Sequence, residues 1–383
     1  MQKLLLILKR CLFSFLFFFK KKKENLMIVS SYNNESYNFI SRIFFEFIVI
    51  YKKEVDVYFI IDDDAKRAML INKFGPYFLS YRKASDLKII YSAKFWLFST
   101  KSFCMFPTSL KGRKFINLWH GVPLKSIGIE DKFQSALKRL IYKYYYSIFN
   151  QYLAVQAPCL SDVYSKSFNV SRKNHLITGV LVSEMFGCSL DEATNLFVNE
   201  KVNGKFNILY APTYRDGGST KYFPFSDFKL DKLVSLLKNN DAKLFIRPHH
   251  LDKGFKDYID GENIVLLSAN EVEEISFYLN RFELLITDYS SIMFDYAITG
   301  GTVITFPYDK ESYTTSRGLN YNYDEVSVGK EVLAFEEFID ALNSLFSGNL
   351  SNNKIKESFL GKDLLDVSHR KSCSELYNQI ISL

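Results

Sequence analysis

Leu-Leu-Ile-Thr-Asp-Tyr-Ser-Ser-Ile-Met-Phe-Asp-Tyr-Ala-Ile-Thr, residues 284–299, is the stretch of this 383-residue chain from which the fold can first be inferred. It begins with a short apolar run, which is typical of a buried strand. Apolar side chains at helical spacing follow, namely Ile292, Phe294, Ala297 and Ile298. We therefore predict a strand, a turn and a helix, in this order.

The turn offers hydroxyl groups at the start of the predicted helix. Ser290 or Ser291 suits the N-cap position, where a side-chain oxygen accepts a backbone N–H. The free N–H groups and the positive end of the helix dipole also attract anions, so a diphosphate would fit there. Two interpretations stay open: the serines bind an anion, or they only cap the helix.

Length, composition and charge indicate a globular protein of two domains. A chain of 383 residues is long for one hydrophobic core, and its composition gives no sign of long disordered segments. Nearly all of the formal net charge of +7 lies in residues 1–24, so the rest of the chain is close to neutral. The basic face of a nucleic-acid-binding protein is therefore not indicated, and no nucleic-acid partner is expected.

Residues 1–24 alternate apolar and basic blocks and end in four lysines followed by Glu24. As one helix, residues 4–19 would be about 24 Å long, which is short of the roughly 30 Å hydrocarbon core of a bilayer. We expect this segment to lie in the membrane interface, with Phe and Leu among the acyl chains and Lys at anionic head groups. The alternatives are an ordinary first helix packed on the fold and a true membrane span.

The five cysteines are widely spaced and include no Cys-x-x-Cys pair. The sequence therefore encodes neither a disulfide framework nor a zinc site. Lysines stand where a signal peptide would have its small-residue cleavage site. We expect a protein held peripherally at the cytoplasmic face of the cell membrane.

Short apolar runs alternate with helical patterns along the rest of the chain and predict two α/β sheets. The runs of the first series are residues 26–30, 55–61, 95–99, 115–119, 152–156 and 175–178, and those of the second are 206–210, 243–246, 264–267, 284–287 and 302–306. A polar stretch at 200–205 is the predicted boundary. We expect an N-terminal domain at 25–200 and a C-terminal domain at 201–383, with ligands at the carboxyl ends of the strands.

Three consecutive aspartates, Asp62 to Asp64, follow the predicted strand 55–61. Carboxylate oxygens at a strand end can hold a divalent metal on a nucleotide diphosphate. The other interpretation, which we favour, is that they cap the helix that begins near Ala65.

His120 stands between a predicted strand and a turn that contains Gly121 and Pro123. Glycine permits a tight turn and proline fixes its own φ, so a turn of this kind leaves the imidazole little freedom. Because histidine can take and return a proton near neutral pH, we predict a general base, and a structural histidine is the alternative. Lys125 is close enough in sequence to reach the same cleft and meet a phosphate.

Basic side chains follow three further predicted strands. Arg215 offers a planar fork for phosphate after strand 206–210. His249 and His250 follow strand 243–246, and because they are adjacent they point to opposite sides of an extended chain. Arg317 could close on a diphosphate or pair with a nearby acid.

Five motifs, taken together and in this order, resemble the CDP-glycerol glycerophosphotransferase family, whose members make teichoic acids and related capsular polymers. They are His-Gly-x-Pro-Leu-Lys at 120–125, Ala-Pro-Thr-Tyr-Arg-Asp at 211–216, Arg-x-His at 247–249, Thr-Asp-Tyr-Ser-Ser-x-x-Phe-Asp-Tyr at 287–296 and Arg-Gly at 317–318. The resemblance is strong over residues 110–325. It implies two Rossmann-like domains that face a cleft, the GT-B arrangement, with the donor nucleotide held mainly by the C-terminal domain.

The resemblance also implies roles for single residues. The family's two essential histidines correspond to His120 and His249, which are the expected catalytic residues. The expected donor-binding residues are Lys125, Thr213, Arg215, Arg247, Thr287, Asp288, Ser290, Ser291 and Arg317. His250 departs from the family, where Pro or Tyr is frequent. Neither a metal nor a cofactor is expected.

The implied reaction is transfer of glycerol phosphate, or a similar polyol phosphate, from a CDP-activated donor to a hydroxyl of a lipid-linked or polymer acceptor, with release of CMP. His120 would be the general base. Two other classes of protein remain open: a GT-B nucleotide-sugar glycosyltransferase, which could use Asp62 for a metal, and a catalytically silent membrane assembly partner. The motifs do not distinguish a teichoic acid from a capsular polymer as the product.

Overall fold

The computed structural model of the chain describes residues 2–101, 110–190, 196–215, 220–248, 252, 254–350, 358–368 and 372–383. These residues form an α/β fold with two parallel sheets. His249 and His250 lie outside the described residues, so the predicted second catalytic histidine has no structural account here.

The first sheet has seven parallel strands in the order β3-β2-β1-β4-β5-β6-β7. They are β1 (Lys23–Ser30), β2 (Asp56–Ile60), β3 (Phe78–Leu79), β4 (Ala93–Phe98), β5 (Lys114–Asn117), β6 (Tyr152–Val155) and β7 (His175–Ile177). The strand order reverses between β1 and β4, which is where an open parallel sheet forms a ligand crevice.

The second sheet has six parallel strands in the order β10-β9-β8-β11-β12-β13. They are β8 (Phe206–Tyr210), β9 (Ala242–Ile246), β10 (Ile264–Leu266), β11 (Leu284–Thr287), β12 (Thr302–Thr305) and β13 (Lys330–Glu331). Its order reverses between β8 and β11, so the loops that follow these two strands meet at the crevice.

Helices cover both faces of each sheet, as parallel strands require. Those before β8 are α1 (Gln2–Leu16), α2 (Phe39–Tyr51), α3 (Asp64–Phe74), α4 (Ala84–Ile90), α5 (Ala136–Phe149), α6 (Ser161–Phe168) and α7 (Leu196–Lys201). Those after it are α8 (Leu230–Asn239), α9 (Ile292–Ala297), α10 (Lys310–Arg317), α11 (Tyr323–Val326), α12 (Phe335–Phe346), α13 (Phe359–Ser368) and α14 (Ser372–Ile381).

Each apolar run that the sequence analysis predicted as a strand overlaps a strand of the structure. The short strands β3 and β13 were not predicted, because two residues give no periodic pattern. Side chains alternate between two layers along the central strands: Met27 and Val29 join a buried cluster that reaches both sheets, whereas Leu26 and Ile28 face the opposite layer.

Helix α1 packs on the fold with one face only. Phe13 and Phe17 lie against the ring of Tyr91, and Arg10 donates a hydrogen bond to the carbonyl of Tyr81. On the other face the apolar side chains are exposed: Ile7, Leu8, Leu12, Phe15 and Leu16, followed by Phe19. No helix among the described residues has both the length and the apolar character needed to cross a bilayer.

The sequence analysis expected the lysines at residues 20–23 to lie at a membrane surface. The structure does not place all four at the surface of the protein. Lys20, Lys21 and Lys23 are exposed, but Lys22 is buried and donates to the carbonyl of Phe17. Burial, with Arg113 and Lys111 nearby, lowers the pKa of Lys22 to about 8. Strand β1 begins at Lys23, inside the predicted interfacial segment.

Helix α14 returns from the second sheet to the first. Glu184, in the 3-10 helix Leu181–Met185 that follows β7, accepts hydrogen bonds from the backbone N–H groups of Cys373 and Ser374. The side chain of Gln379 donates to the carbonyl of Ile177, at 2.9 Å. We call the first sheet with the helices packed on it the N-terminal unit, and the second sheet with its helices the C-terminal unit. The N-terminal unit is completed by the last helix that the structure describes.

Candidate active site in the cleft between the two sheets

The loops that follow β8 and β11 are tied together through Asp288. Its carboxylate accepts hydrogen bonds from the N–H groups of Thr213 and Tyr289, at 2.8 and 2.7 Å, and from Arg215 at 2.9 Å. Thr287 is fully buried, and its hydroxyl donates to the carbonyl of Ala211 at 2.7 Å. This network fixes the backbone from which the two serines project.

Ser290 and Ser291 begin the turn into α9, as the sequence analysis predicted. Ser291 occupies the N-cap position, but its side chain makes no capping hydrogen bond. Both serines line a cavity between the two sheets. The hydroxyl of Ser291 is therefore not used for capping, and ligand binding by the two serines stays a prediction.

His120 follows β5 and lies across the cavity from these serines. Its Nδ1 atom is 2.9 Å from the carbonyl oxygen of Ser99. A carbonyl can only accept, so Nδ1 carries the hydrogen, and Nε2 has the free lone pair when the ring is neutral. Burial lowers the pKa of His120, and this effect is opposed by the contact with Ser99 and by the charge of Glu274.

Gly121 allows the histidine turn to approach the serine turn of the other unit. Its φ is +140°, which side-chain-bearing residues rarely adopt, and a Cβ atom there would lie 2.9 Å from the Oγ atom of Ser291. Glycine is thus required both by the backbone conformation and by the close approach of Ser291.

The cavity has a volume of about 410 Å³. Five of the residues predicted for the site line it: His120, Lys125, Ser290, Ser291 and Arg317. Two of these are cationic, and the serines supply hydroxyl donors. A cavity with these groups suits a ligand with negatively charged oxygens.

A backbone bridge joins the two units beside the cavity. Lys125 pairs with Leu319 in a short antiparallel bridge, and the N–H of Ser126 donates to the carbonyl of Gly318 at 3.0 Å. The side chain of Asn320 donates to the carbonyls of Pro123 and Lys125, both at 2.7 Å. The cavity wall therefore contains backbone from both units.

The two cations of the cavity already have neighbours within the protein. Arg317 forms an ion pair with Asp131 at 3.1 Å, which is the acid that the sequence analysis allowed for. The Nζ atom of Lys125 lies 5.8 Å from the centre of the Tyr313 ring. Both side chains nevertheless remain part of the cavity wall.

The other predicted arginines lie behind the cavity instead of lining it. The guanidinium fork of Arg215 holds Asp309, with distances of 2.8 and 2.9 Å, in addition to Asp288. Arg247 donates to the carbonyls of Ser268 and Glu273, at 2.7 and 3.2 Å. In this structure both arginines hold loops in place, so phosphate contact by either one stays a prediction.

Of the three aspartates at residues 62–64, only Asp63 caps the helix that follows, as the favoured interpretation expected. Asp63 accepts the N–H of Lys66 at 2.6 Å and so caps α3. Asp62 is buried and accepts the N–H of Tyr81 at 2.7 Å. Asp64 pairs with Arg67.

A family model described as CDP-Glycerol:Poly(glycerophosphate) glycerophosphotransferase matches residues 12–381. The chain belongs to this family. The resemblance based on the five motifs is thereby confirmed.

Relatives in the glycerophosphotransferase family are named for different polyols, ribitol phosphate in one case and glycerol phosphate in another. The teichoic acid ribitol-phosphate polymerase TarL of Staphylococcus aureus (strain NCTC 8325 / PS 47) is 28% identical over 189 residues, which are 47% of this chain and 33% of TarL. The teichoic acid poly(glycerol phosphate) polymerase of Bacillus spizizenii is 24% identical over 354 residues, with 83% of each chain covered. This chain matches only about a third of the length of TarL.

A solved structure of the wall teichoic acid polymerase TagF has the same fold. Its TM-score is 0.69 at 20% sequence identity, and the match covers 98% of this chain and 92% of that one. This likeness agrees with the two-sheet α/β architecture that family resemblance implied.

Several residues that line or support the cavity were not singled out in the sequence analysis. Asp309 holds Arg215, and its position just after β12, in Phe-Pro-Tyr-Asp, was a usable signal. Asp131 and Tyr289 also line the cavity. Tyr289 stands within the motif at 287–296, which was a usable signal, whereas Asp131 lies in no pattern that distinguishes it. Phe39 and Glu274 approach His120 from regions far apart in sequence, so no local pattern could reveal them.

Proposed function

We propose that the protein transfers a polyol phosphate, with glycerol phosphate as our first choice, from a CDP-activated donor to a hydroxyl of a membrane-linked acceptor. The product would be a teichoic acid or a related capsular polymer, and CMP would be released. Residues 25–200 would supply the acceptor side and residues 201–383 the donor side, with α14 packed on the former.

The proposed step is one displacement at phosphorus. The acceptor oxygen attacks the phosphorus that carries the polyol, the new O–P bond forms, and the bond to the oxygen bridging the two phosphorus atoms breaks. Nε2 of His120 takes the proton of the acceptor hydroxyl, and CMP leaves with the bridging oxygen. Catalysis of such a step depends mainly on positioning and on stabilisation of charge.

The observation that carries this proposal is the placement of His120 in one cavity with Ser290, Ser291 and Lys125. The hydrogen bond from Nδ1 to Ser99 leaves Nε2 as the basic nitrogen of the neutral ring. The serine hydroxyls and the ammonium of Lys125 are suited to the oxygens of a diphosphate. The acceptor oxygen would then lie between the base and the phosphorus.

The remaining predicted residues would support the donor site from behind. We propose that Asp288, Thr213, Thr287 and Arg215 keep the serine loop in its bound conformation, as their hydrogen bonds suggest. Arg317 would contact the diphosphate if it leaves Asp131. Arg247 and His249 complete the proposed set, with His249 balancing charge on the diphosphate.

A donor screen tests the proposal. The purified protein is incubated with CDP-glycerol, CDP-ribitol or UDP-glucose, each with an acceptor analogue that ends in a glycerol phosphate hydroxyl, with and without EDTA. We expect CMP release and acceptor extension with a CDP-polyol, and no effect of EDTA. Metal-dependent sugar transfer from UDP-glucose would favour the glycosyltransferase alternative, and no product from any donor would favour the silent partner.

We also propose that the protein is peripheral to an anionic membrane, attached through the exposed face of α1. A second apolar surface lies on and just before α5, where Phe133, Leu137, Leu140, Ile141 and Tyr144 are each more than half exposed. Phe13 of α1 and Ile148 and Phe149 of α5 pack on the same buried cluster at the first sheet. Exposed apolar side chains interspersed with lysines suit an interface of acyl chains and anionic head groups.

A further inference from the structure

Phe39 has a backbone conformation that a bulky side chain rarely adopts. Its φ is 61°, in the left-handed region, and it is the first residue of α2. Such strain persists only where the surrounding structure fixes it, and it is frequent at functional sites. The ring of Phe39 is stacked on the ring of His120, with centroids 4.9 Å apart and planes at 24°.

The backbone of Phe39 is held by the other unit of the molecule. Its N–H donates to the carboxylate of Glu274 at 2.6 Å. Glu274 is buried, and its second oxygen accepts from the N–H and the hydroxyl of Ser276, at 3.2 and 2.7 Å. This carboxylate is therefore fixed from both sides.

The preceding residue, Glu273, also binds the segment that leads into α2. Its side chain accepts from the N–H of Tyr37 at 3.3 Å and pairs with Lys66 at 2.5 Å. Its carbonyl accepts from Arg247. Residues 273 and 274 of the C-terminal unit thus hold the segment that leads into α2.

The hydrogen bond of His120 does not by itself fix the orientation of the imidazole ring. The hydrogen bond from Nδ1 to Ser99 fixes one point of the imidazole but leaves rotation about that point. Trp119 lies against the ring, with centroids 3.8 Å apart, and Phe39 also packs against it. We propose that Phe39 and Glu274 are positioning residues for His120, and that through them the seating of the C-terminal unit sets the orientation of the histidine.

This inference rests on the proposed role of His120 in transfer, and it adds an electrostatic consequence. The carboxylate of Glu274 is the charged group that raises the pKa of His120 against the effect of burial. The same charge adds to the effect of burial in raising the pKa of Asp295, and it opposes the burial that lowers the pKa of Arg247. Removal of the charge should lower the pKa of His120.

The first test removes the ring of Phe39 but keeps the left-handed backbone conformation accessible, because glycine adopts a positive φ readily. Phe39→Gly relieves the left-handed strain and removes the ring, whereas Phe39→Tyr keeps an aromatic ring. We expect Phe39→Gly to lower kcat for CMP release from CDP-glycerol roughly 10- to 100-fold, as for a misplaced catalytic group, with the donor KM changed less than twofold. Phe39→Tyr should retain most of kcat. Wild-type kcat in a folded Phe39→Gly variant would overturn the proposal.

The second test separates the charge of Glu274 from its hydrogen bond. Glu274→Gln keeps an acceptor for the N–H of Phe39 but loses the charge, so the acidic limb of the kcat–pH profile should move to lower pH. Glu273→Gln is the matched control, because it removes a neighbouring charge that does not contact Phe39, and it should leave the limb in place. Equal profiles for the two variants would contradict the inference.

An activity-independent measurement distinguishes failure of this inference from failure of the proposed function. In NMR spectra of histidine-labelled protein, the Phe39 ring should shift the ring-proton signals of His120, and Phe39→Gly should abolish that shift. The same signals should titrate at lower pH in Glu274→Gln. If these shifts occur but CDP-glycerol is not turned over, the positioning holds and the proposed reaction is wrong; unchanged signals would overturn the positioning.

Discussion

His120 is the side chain on which the proposed chemistry depends most directly. We expect His120→Ala to lower turnover of CDP-glycerol roughly 10²-fold or more, the usual effect of losing a general base. His175→Ala is the matched control, since that partly buried histidine lies in β7 and does not line the cavity. Steady-state CMP release measures both variants. Near-normal turnover by His120→Ala would remove this residue from the role of base.

The pH dependence of turnover follows from the environment of the same histidine. Burial lowers the pKa of His120 below its usual value of 6.5. A general base must be neutral to accept a proton, so kcat should rise with pH through a pKa below 6.5 and be level at neutral pH. A kcat–pH profile from pH 5 to 8 measures this limb. An acidic limb centred above 6.5 would contradict the assignment.

Gly121 offers a test of how closely the two units approach. Gly121→Ala should destabilise the protein by about 1 to 3 kcal/mol from backbone strain alone, and the contact with Ser291 should add to this. Gly300→Ala is the control, because that glycine also has a positive φ but no described atom within 4 Å of an added Cβ. Addition of Ser291→Ala should recover part of the loss in a denaturation experiment. A double variant no more stable than Gly121→Ala would argue against the close approach.

The apolar and basic pattern of residues 1–24 does not determine which side chains of α1 pack on the fold and which are exposed. The sequence analysis treated interfacial binding and packing on the fold as alternatives, but the helix does pack through Phe13 and Phe17 and still exposes apolar side chains. Deletion of the whole segment would therefore uncover buried side chains and cut into β1. Substitutions on the exposed face are the better test.

We expect combined replacement of Leu8, Leu12 and Phe15 by serine to weaken binding to phosphatidylglycerol vesicles at least roughly tenfold, because each buried apolar side chain contributes about 1.5 to 3 kcal/mol. The melting temperature should hardly change, since these side chains are exposed. Leu333→Ser is the control, because Leu333 is 62% exposed on another part of the molecule. Vesicle sedimentation at two salt concentrations would separate the lysine contribution, which salt weakens. Equal binding by both variants would refute attachment through α1.

The strands could be predicted from sequence because each is a short apolar run between polar segments, as at residues 206–210 and 284–287. The site was predictable where residues follow such strands, as with Ser290, Ser291 and His120. The partners of the basic side chains could not be predicted from sequence. The fork of Arg215 suits phosphate and carboxylate equally, and only the fold places Asp309 beside it. Likewise, no local rule predicts a phenylalanine with left-handed φ at residue 39.

The molecule as a whole is held together by contacts that cross between its two units. Leu376 on α14 is fully buried in the cluster that reaches both sheets. Leu376→Ala should lower the free energy of unfolding by about 2 to 5 kcal/mol, the usual cost of such a cavity. Ile381→Ala on the same helix is the control, since Ile381 is 40% exposed. Similar losses for both variants in denaturant titrations would contradict the docking of α14.

The return of α14 to the first sheet also affects the order of events during synthesis. Gln379 and the carbonyl it reaches at Ile177 are 202 residues apart in the chain. A ribosome adds about 5 to 20 residues per second, so the first sheet waits roughly ten seconds or more for the helix that covers it. During that interval the apolar side chains that α14 covers stay exposed, and we expect the nascent chain to bind chaperones that act before translation ends.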